Sequence, residues 1–150
     1  MGDVVKQSIE IEAPIERVWD LVMDPERLGE WVSIHEKVLD HPGGDLETGS
    51  TFGQRMKLKG VPLKVRWEVS ECEPPRRARW HGEAAAGAKA RIAYDLRESD
   101  GGTHFDYENE FDLPAGKVGK MAGRAFNAMS GEREAKKSLQ RLKELLEDRG

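Results

Sequence analysis

The chain has 150 residues, 37% of them apolar and 35% charged, with a formal net charge of −4. That length is most economically a single domain, 1–150, able to bury about two-thirds of the surface its unfolded chain exposes. No apolar run reaches the ~20 residues that span a bilayer, and a net negative charge lacks the cationic concentration of a nucleic-acid binder. The start, Met1 to Lys6, has neither the basic and apolar stretches of a secretion signal nor the Ser or Thr of a myristoylation site. The expected location is cytoplasmic, which suits a chain whose one cysteine, Cys72, has no internal partner. Cys72 falls in an alternating strand, where a packing role is expected.

Val4 to Glu12 reads as a strand with Val5, Ile9 and Ile11 on one face. Ala13-Pro14 ends it, and Ile15, Val18, Trp19 and Val22 recur at helical spacing, so a short helix runs from Pro14 to Met23. Asp24-Pro25 repeats the start signal, with Asp24 as the cap, and a second short helix reaches Trp31.

The period then changes from 3.6 to 2. Strands are predicted over Ile34–Asp40, Thr51–Lys59, Pro62–Glu73, Arg77–Ala84, Lys89–Ser99 and Thr103–Leu113, with turns at Pro42-Gly43-Gly44, Gly60, Pro74-Pro75 and Asp100-Gly101-Gly102. One face of these strands carries Phe52, Gln54, Met56, Leu58, Leu63, Val65, Trp67, Val69, Ala78, Trp80, Ala90, Ile92, Tyr94, Leu96, Phe105, Tyr107, Asn109, Phe111 and Leu113. Ala115 to Arg149 reads as one long amphipathic helix with the stripe Val118, Met121, Ala125, Met129, Leu139, Leu142 and Leu146. Short loops between consecutive strands imply antiparallel hairpins, so the fold class is α+β with the helices on one face of the sheet.

The opening Ser8-Ile-Glu-Ile-Glu-Ala-Pro-Ile-Glu-Arg-Val-Trp19 and Asp24-Pro-Glu-Arg-Leu-Gly-Glu-Trp31 carry a family resemblance. So do Tyr94-Asp-Leu-Arg-Glu-Ser-Asp-Gly-Gly-Thr-His-Phe105 and Ser138-Leu-Gln-Arg-Leu-Lys-Glu-Leu-Leu146. Together they resemble the START-like (SRPBCC) helix-grip superfamily and, within it, the polyketide cyclase/dehydrase group. The resemblance implies a seven-stranded antiparallel sheet ordered 1-7-6-5-4-3-2, wrapped around the C-terminal helix, with a cavity between them. The superfamily includes lipid carriers, cyclases, quinone-binding proteins and co-chaperones, so the fold does not fix the activity.

The ligand contacts expected in such a cavity are Gln54, Met56, Trp67, Trp80, Tyr94, Tyr107 and Asn109 from the sheet, and Met121, Ala125, Phe126 and Met129 from the helix. Tyr and Trp combine a large apolar body with a polar tip that needs a partner when buried, and Gln54 and Asn109 interrupt otherwise apolar rows. An unpaired buried amide costs ~1–3 kcal/mol, so each must bond to protein, water or an oriented polar group of a ligand. Gly116, Gly119, Gly123 and Gly131 make the first half of the long helix the looser one, a possible gate.

The basic residues Arg55, Lys57, Lys59, Lys64 and Arg66 alternate with the inward set and form a solvated outer face. No metal, phosphate-loop or cofactor motif is present: the four histidines lack zinc spacing, and Gly82-x-x-x-x-Gly87 is followed by Ala88-Lys89. His35 and His81 face the interior only where a strand register is shifted by one residue. The favoured function is binding of a hydrophobic or aromatic small molecule, whether lipid, quinone or polyketide-like. The alternatives are an aromatase/cyclase using Tyr94 or Tyr107 with Asn109 for aldol closure, and a co-chaperone-like interaction module acting through Lys57, Lys64 and Arg66.

Overall fold

In the computed structural model the described residues are 3–41, 43–58, 61–84, 87–112 and 128–147. The alternating segments form β1 (Asp3–Ile11), β2 (His35–Leu39), β3 (Thr51–Leu58), β4 (Val61–Glu73), β5 (Arg77–Ala84), β6 (Lys89–Ser99) and β7 (Gly102–Asp112). They join in one antiparallel sheet ordered β1-β7-β6-β5-β4-β3-β2, the order the resemblance implies. The β6–β7 connection is a two-residue turn. Asp100 and Gly101 both take positive φ, +48° and +82°, the type I′ combination that matches strand twist.

Two short helical pieces follow β1. Helix α1 (Ile15–Val22) buries Ile15, Val18, Trp19, Leu21 and Val22, and Pro14 stands one position ahead of it as the cap rather than as its first residue. Thr103, fully buried on β7, donates its hydroxyl to the Ala13 carbonyl at 2.8 Å and fixes the corner where β1 gives way to α1. Asp24 caps as expected, accepting from the Glu26 N–H at 3.0 Å, but it starts a 3₁₀ turn over Pro25–Arg27 before the single α turn α2 (Leu28–Trp31).

Helix α3 (Ala128–Glu147) is the described part of the long terminal helix. Ala135, Ser138, Leu139, Leu142 and Leu146 are its buried stripe. Its last turn is tied to the β1–α1 corner. Glu147 accepts from the Glu12 N–H at 2.9 Å, Lys143 donates to the Glu10 carbonyl at 2.8 Å, and Arg17 reaches the Leu146 carbonyl at 3.3 Å. Near its middle, Ser138 Oγ accepts the Ser33 N–H at 2.9 Å, which ties α3 to the segment leaving α2. Residues 115–127 of the predicted helix, and with them most of the expected gate, lie outside the described residues.

The inward rows follow the predicted alternation. Phe52, Trp67, Val69 and Phe105 have no exposed surface, and Trp80, Tyr94, Val65 and Ala78 have about 1%. The sheet makes room for these rings at Gly82. A Cβ there would lie 2.5 Å from Val65 Cγ1 and 2.7–2.8 Å from the Trp67 ring, so the indole of β4 lies against bare β5 backbone. Gly82→Ala is therefore expected to lower stability by about 1–3 kcal/mol through overpacking. The check is the urea midpoint with m unchanged; an unaltered midpoint would show that Trp67 does not need that space.

Candidate ligand-binding site

The inner face carries a connected set of aromatic rings. Phe52 meets Trp80 edge-on at 5.3 Å, Trp80 meets Trp67 at 5.9 Å and Tyr94 at 5.3 Å, and Tyr94 meets Phe105 at 5.4 Å and Tyr107 at 5.9 Å. Trp31 closes the set from α2, with its ring centroid 6.1–6.4 Å from those of Tyr94, Phe105 and Tyr107. Sequence reasoning placed Trp31 at the end of the second short helix without assigning it to the site. Four residues of α helix are too few for a periodicity to mark a buried face, although the Asp24-Pro25 start signal locates it.

Polar atoms within this face divide into two kinds. Gln54, 2% exposed, is bonded to protein at both its amide oxygen and its amide nitrogen. Trp67 donates its indole N–H to Gln54 Oε1 at 2.9 Å, and Gln54 Nε2 lies 3.0 Å from His35 Nδ1. An indole can only donate, so Oε1 must face it and the amide NH₂ must face the histidine. His35 Nδ1 is therefore an acceptor and the ring is neutral, with its proton on Nε2. Burial holds the His35 pKa below its ordinary value, in agreement with that assignment.

His35 thus faces inward, against the unshifted register of the prediction. The pairing of β2 with β3 shifts by one between His35 and Lys37, and this irregularity turns the ring toward Gln54. His81 is exposed on the outer face, as the unshifted register requires. Asn109, 9% exposed, donates to the Tyr107 hydroxyl at 2.8 Å.

The second kind is unpaired. Trp31 Nε1 and Trp80 Nε1 are buried and find no acceptor among the described residues, a situation that ordinarily costs about 1–3 kcal/mol per group. Both phenols remain neutral. Burial, reinforced by Tyr107, pushes Tyr94 well above the usual tyrosine range, and burial raises Tyr107 against the opposing bond from Asn109. They can donate protons in hydrogen bonds but do not act as phenolate bases near neutrality.

Met56 is buried at 3% beside this set. Of the other expected contacts, Met121, Ala125 and Phe126 lie outside the described residues, as do the side chains of Met129 and Phe111.

The opposite face of the sheet is charged. It bears a groove of about 510 Å³ lined by Arg66, Glu68, His81, Glu83, Lys89, Arg91 and Glu110. Across strands on this face Arg91 meets Glu110 and Arg79 meets Asp95 at 3.0 Å. Arg55, Lys57, Lys64 and Arg66 are exposed as expected, and Lys59 lies outside the described residues. His104 sits on this side between Glu10 and Asp106, and its hydrogen bond to Glu10 leads the interactions that raise its pKa. Among the described residues no group of three or more His, Cys, Asp or Glu is arranged to hold a metal ion, and no helix is long and apolar enough to cross a membrane.

The sequence profile of the family described as polyketide cyclase / dehydrase and lipid transport matches residues 3–147, and the chain belongs to that family. A Mycobacterium tuberculosis protein named as a toxin is 24% identical over 123 residues, which are 81% of this chain and 85% of that protein. A second protein of that organism is 27% identical over 144 residues, 92% of this chain and 97% of its own. A crystal structure of a Chromobacterium violaceum protein has a TM-score of 0.75 at 19% identity, covering 97% of this chain and 98% of that one. Its likeness supports the helix-grip fold.

The two perturbed histidines oppose each other in pH dependence. The His35 pKa is lowered from 6.5 on folding, so its contribution is complete above about pH 6.5 and is lost as pH falls. The His104 pKa is raised, so its contribution is complete below about pH 6.5 and is lost as pH rises through the folded value. In urea titrations, His104→Gln should leave stability rising with pH up to about 6.5, and His35→Gln should leave it falling as pH rises above about 6.5. The same slope in both variants would refute the assignment.

Proposed function

We propose that this member of the polyketide cyclase/dehydrase and lipid transport family binds a hydrophobic or aromatic small molecule between the inner face of its sheet and the C-terminal helix. The observation that carries the reading is the continuous aromatic face running from Phe52 through Trp80 and Tyr94 to Tyr107 and Trp31. Such rings supply rigid apolar contact area, and their polar tips give orientation. Tyr107 and Asn109 remain the sheet-side polar contacts for a ligand, whereas Gln54 acts through the Trp67 and His35 bonds that hold the wall in place. Met121, Ala125, Phe126 and Met129 complete the proposed contacts from the helix. We assign the protein to the cytoplasm, in keeping with its unpaired Cys72.

A second reading, aldol cyclisation of a poly-β-ketone in the same space, draws on the pair of neutral phenols. Tyr94 and Tyr107 stand 5.9 Å apart by ring centroid, and Asn109 holds the hydroxyl of one of them. Neutral phenols suit stabilisation of an enolate oxygen better than proton abstraction.

The test is a panel of fatty acids, quinones and flat polycycles added to the purified protein. A ligand at about 100 times its Kd should raise Tm by about 5–10 °C and quench or shift tryptophan emission. Silence across the panel would overturn the binding reading. Turnover of a poly-β-ketone that persists unchanged in Tyr94→Phe/Tyr107→Phe/Asn109→Ala would overturn the catalytic roles.

A further inference from the structure

We infer that Trp31 and Trp80 are the hydrogen-bond donors of the ligand site, and that the ligand is a flat conjugated molecule bearing carbonyl-type oxygens rather than an acyl chain. The inference rests on the ligand-binding reading and deepens it.

The two indoles are 0% and 1% exposed, and neither N–H has an acceptor among the described residues. An indole N–H has no other polar capacity: it donates or it is unsatisfied. The same interior satisfies Trp67 through a dedicated glutamine, so the fold supplies an acceptor where the wall itself requires one. Both rings that carry the unpaired donors pack on Tyr94, Trp31 at 6.1 Å and Trp80 at 5.3 Å between centroids. Tyr107 adds to the donor character. Its oxygen already accepts from Asn109, which leaves its hydroxyl proton to be given elsewhere.

A region rich in donors is complementary to a molecule rich in acceptors. A hydrocarbon offers none. A fatty acid offers them only at one end, as a carboxylate whose desolvation is costly. A fused-ring diketone offers neutral oxygens on a body that stacks against the surrounding rings. A site built this way rejects analogues without the oxygens, because its buried donors are then left unpaired.

The chain has four tryptophans, so a ¹H–¹⁵N correlation spectrum resolves four indole N–H signals, assignable by single Trp→Phe substitutions. The probes are 9,10-anthraquinone, anthracene and palmitate. Anthraquinone should bind at least about tenfold more tightly than anthracene. It should also move the Trp31 and Trp80 indole protons downfield while that of Trp67 holds its position. Because Trp→Phe at these sites also removes volume, the decisive variant places benzothienylalanine at 31 and 80, keeping the ring shape and replacing N–H by sulfur; anthraquinone affinity should then fall to that of anthracene. Equal affinity for anthraquinone and anthracene, tighter binding of palmitate, or unmoved Trp31 and Trp80 signals would each overturn the inference while leaving ligand binding intact. No binding of any of the three probes would overturn both.

Discussion

A buried indole N–H left without an acceptor costs about 1–3 kcal/mol, and the way Trp67 avoids that cost organises one end of the molecule. Its ring lies against β5 only because Gly82 has no Cβ, and its N–H reaches Gln54 on the neighbouring strand. Gln54, with its oxygen committed, turns its NH₂ to His35. His35 accepts there because the β2–β3 pairing is irregular. The ring edge then packs against α2, 3.3 Å from where a Cβ on Gly29 would stand. Two residues further along α2 is Trp31, which closes the aromatic face. One buried donor thus links β5, β4, β3, β2 and α2.

Most of this fold is legible in the sequence because it depends on alternation and punctuation. Phe52, Trp67, Trp80, Tyr94 and Phe105 are buried on the face that a period of two assigns to them. Asp100-Gly101 makes the turn that its residue types favour, and Asp24 caps where a residue ahead of proline should. The exceptions share a physical cause: each depends on contacts between residues distant in the chain. A one-residue pairing shift decides the facing of His35, and nothing in Ile34–Asp40 marks it. The bond from Trp67 to Gln54 joins positions on different strands, and composition cannot distinguish it from a bond to water. Trp31 belongs to a helix of one turn, whose facing is set by what it packs against rather than by its own periodicity. Pro14 stands outside α1 because the cap depends on backbone angles that the residue type allows in more than one position.

The two faces of the sheet obey different electrostatics. On the outer side, charges meet across strands in water, where each exposed pair contributes little. On the inner side, the groups are neutral, and direction matters more than charge: which atom donates, which accepts, and which is left over. The phenols of Tyr94 and Tyr107 are kept protonated by the same burial that leaves the Trp31 and Trp80 N–H groups costly. Selectivity built on such groups would come from hydrogen-bond direction, with little dependence on ionic strength.

The order of the strands leaves two margins to the sheet, β1 and β2. The first is braced by α3 through Lys143 and Glu147. The second is five residues long, has an irregular pairing and presents exposed Glu36 and Lys37. A short, kinked, charged margin is a poor template for strand addition from another chain. The irregularity that turns His35 inward therefore also guards a β-rich protein against fibril-like self-association.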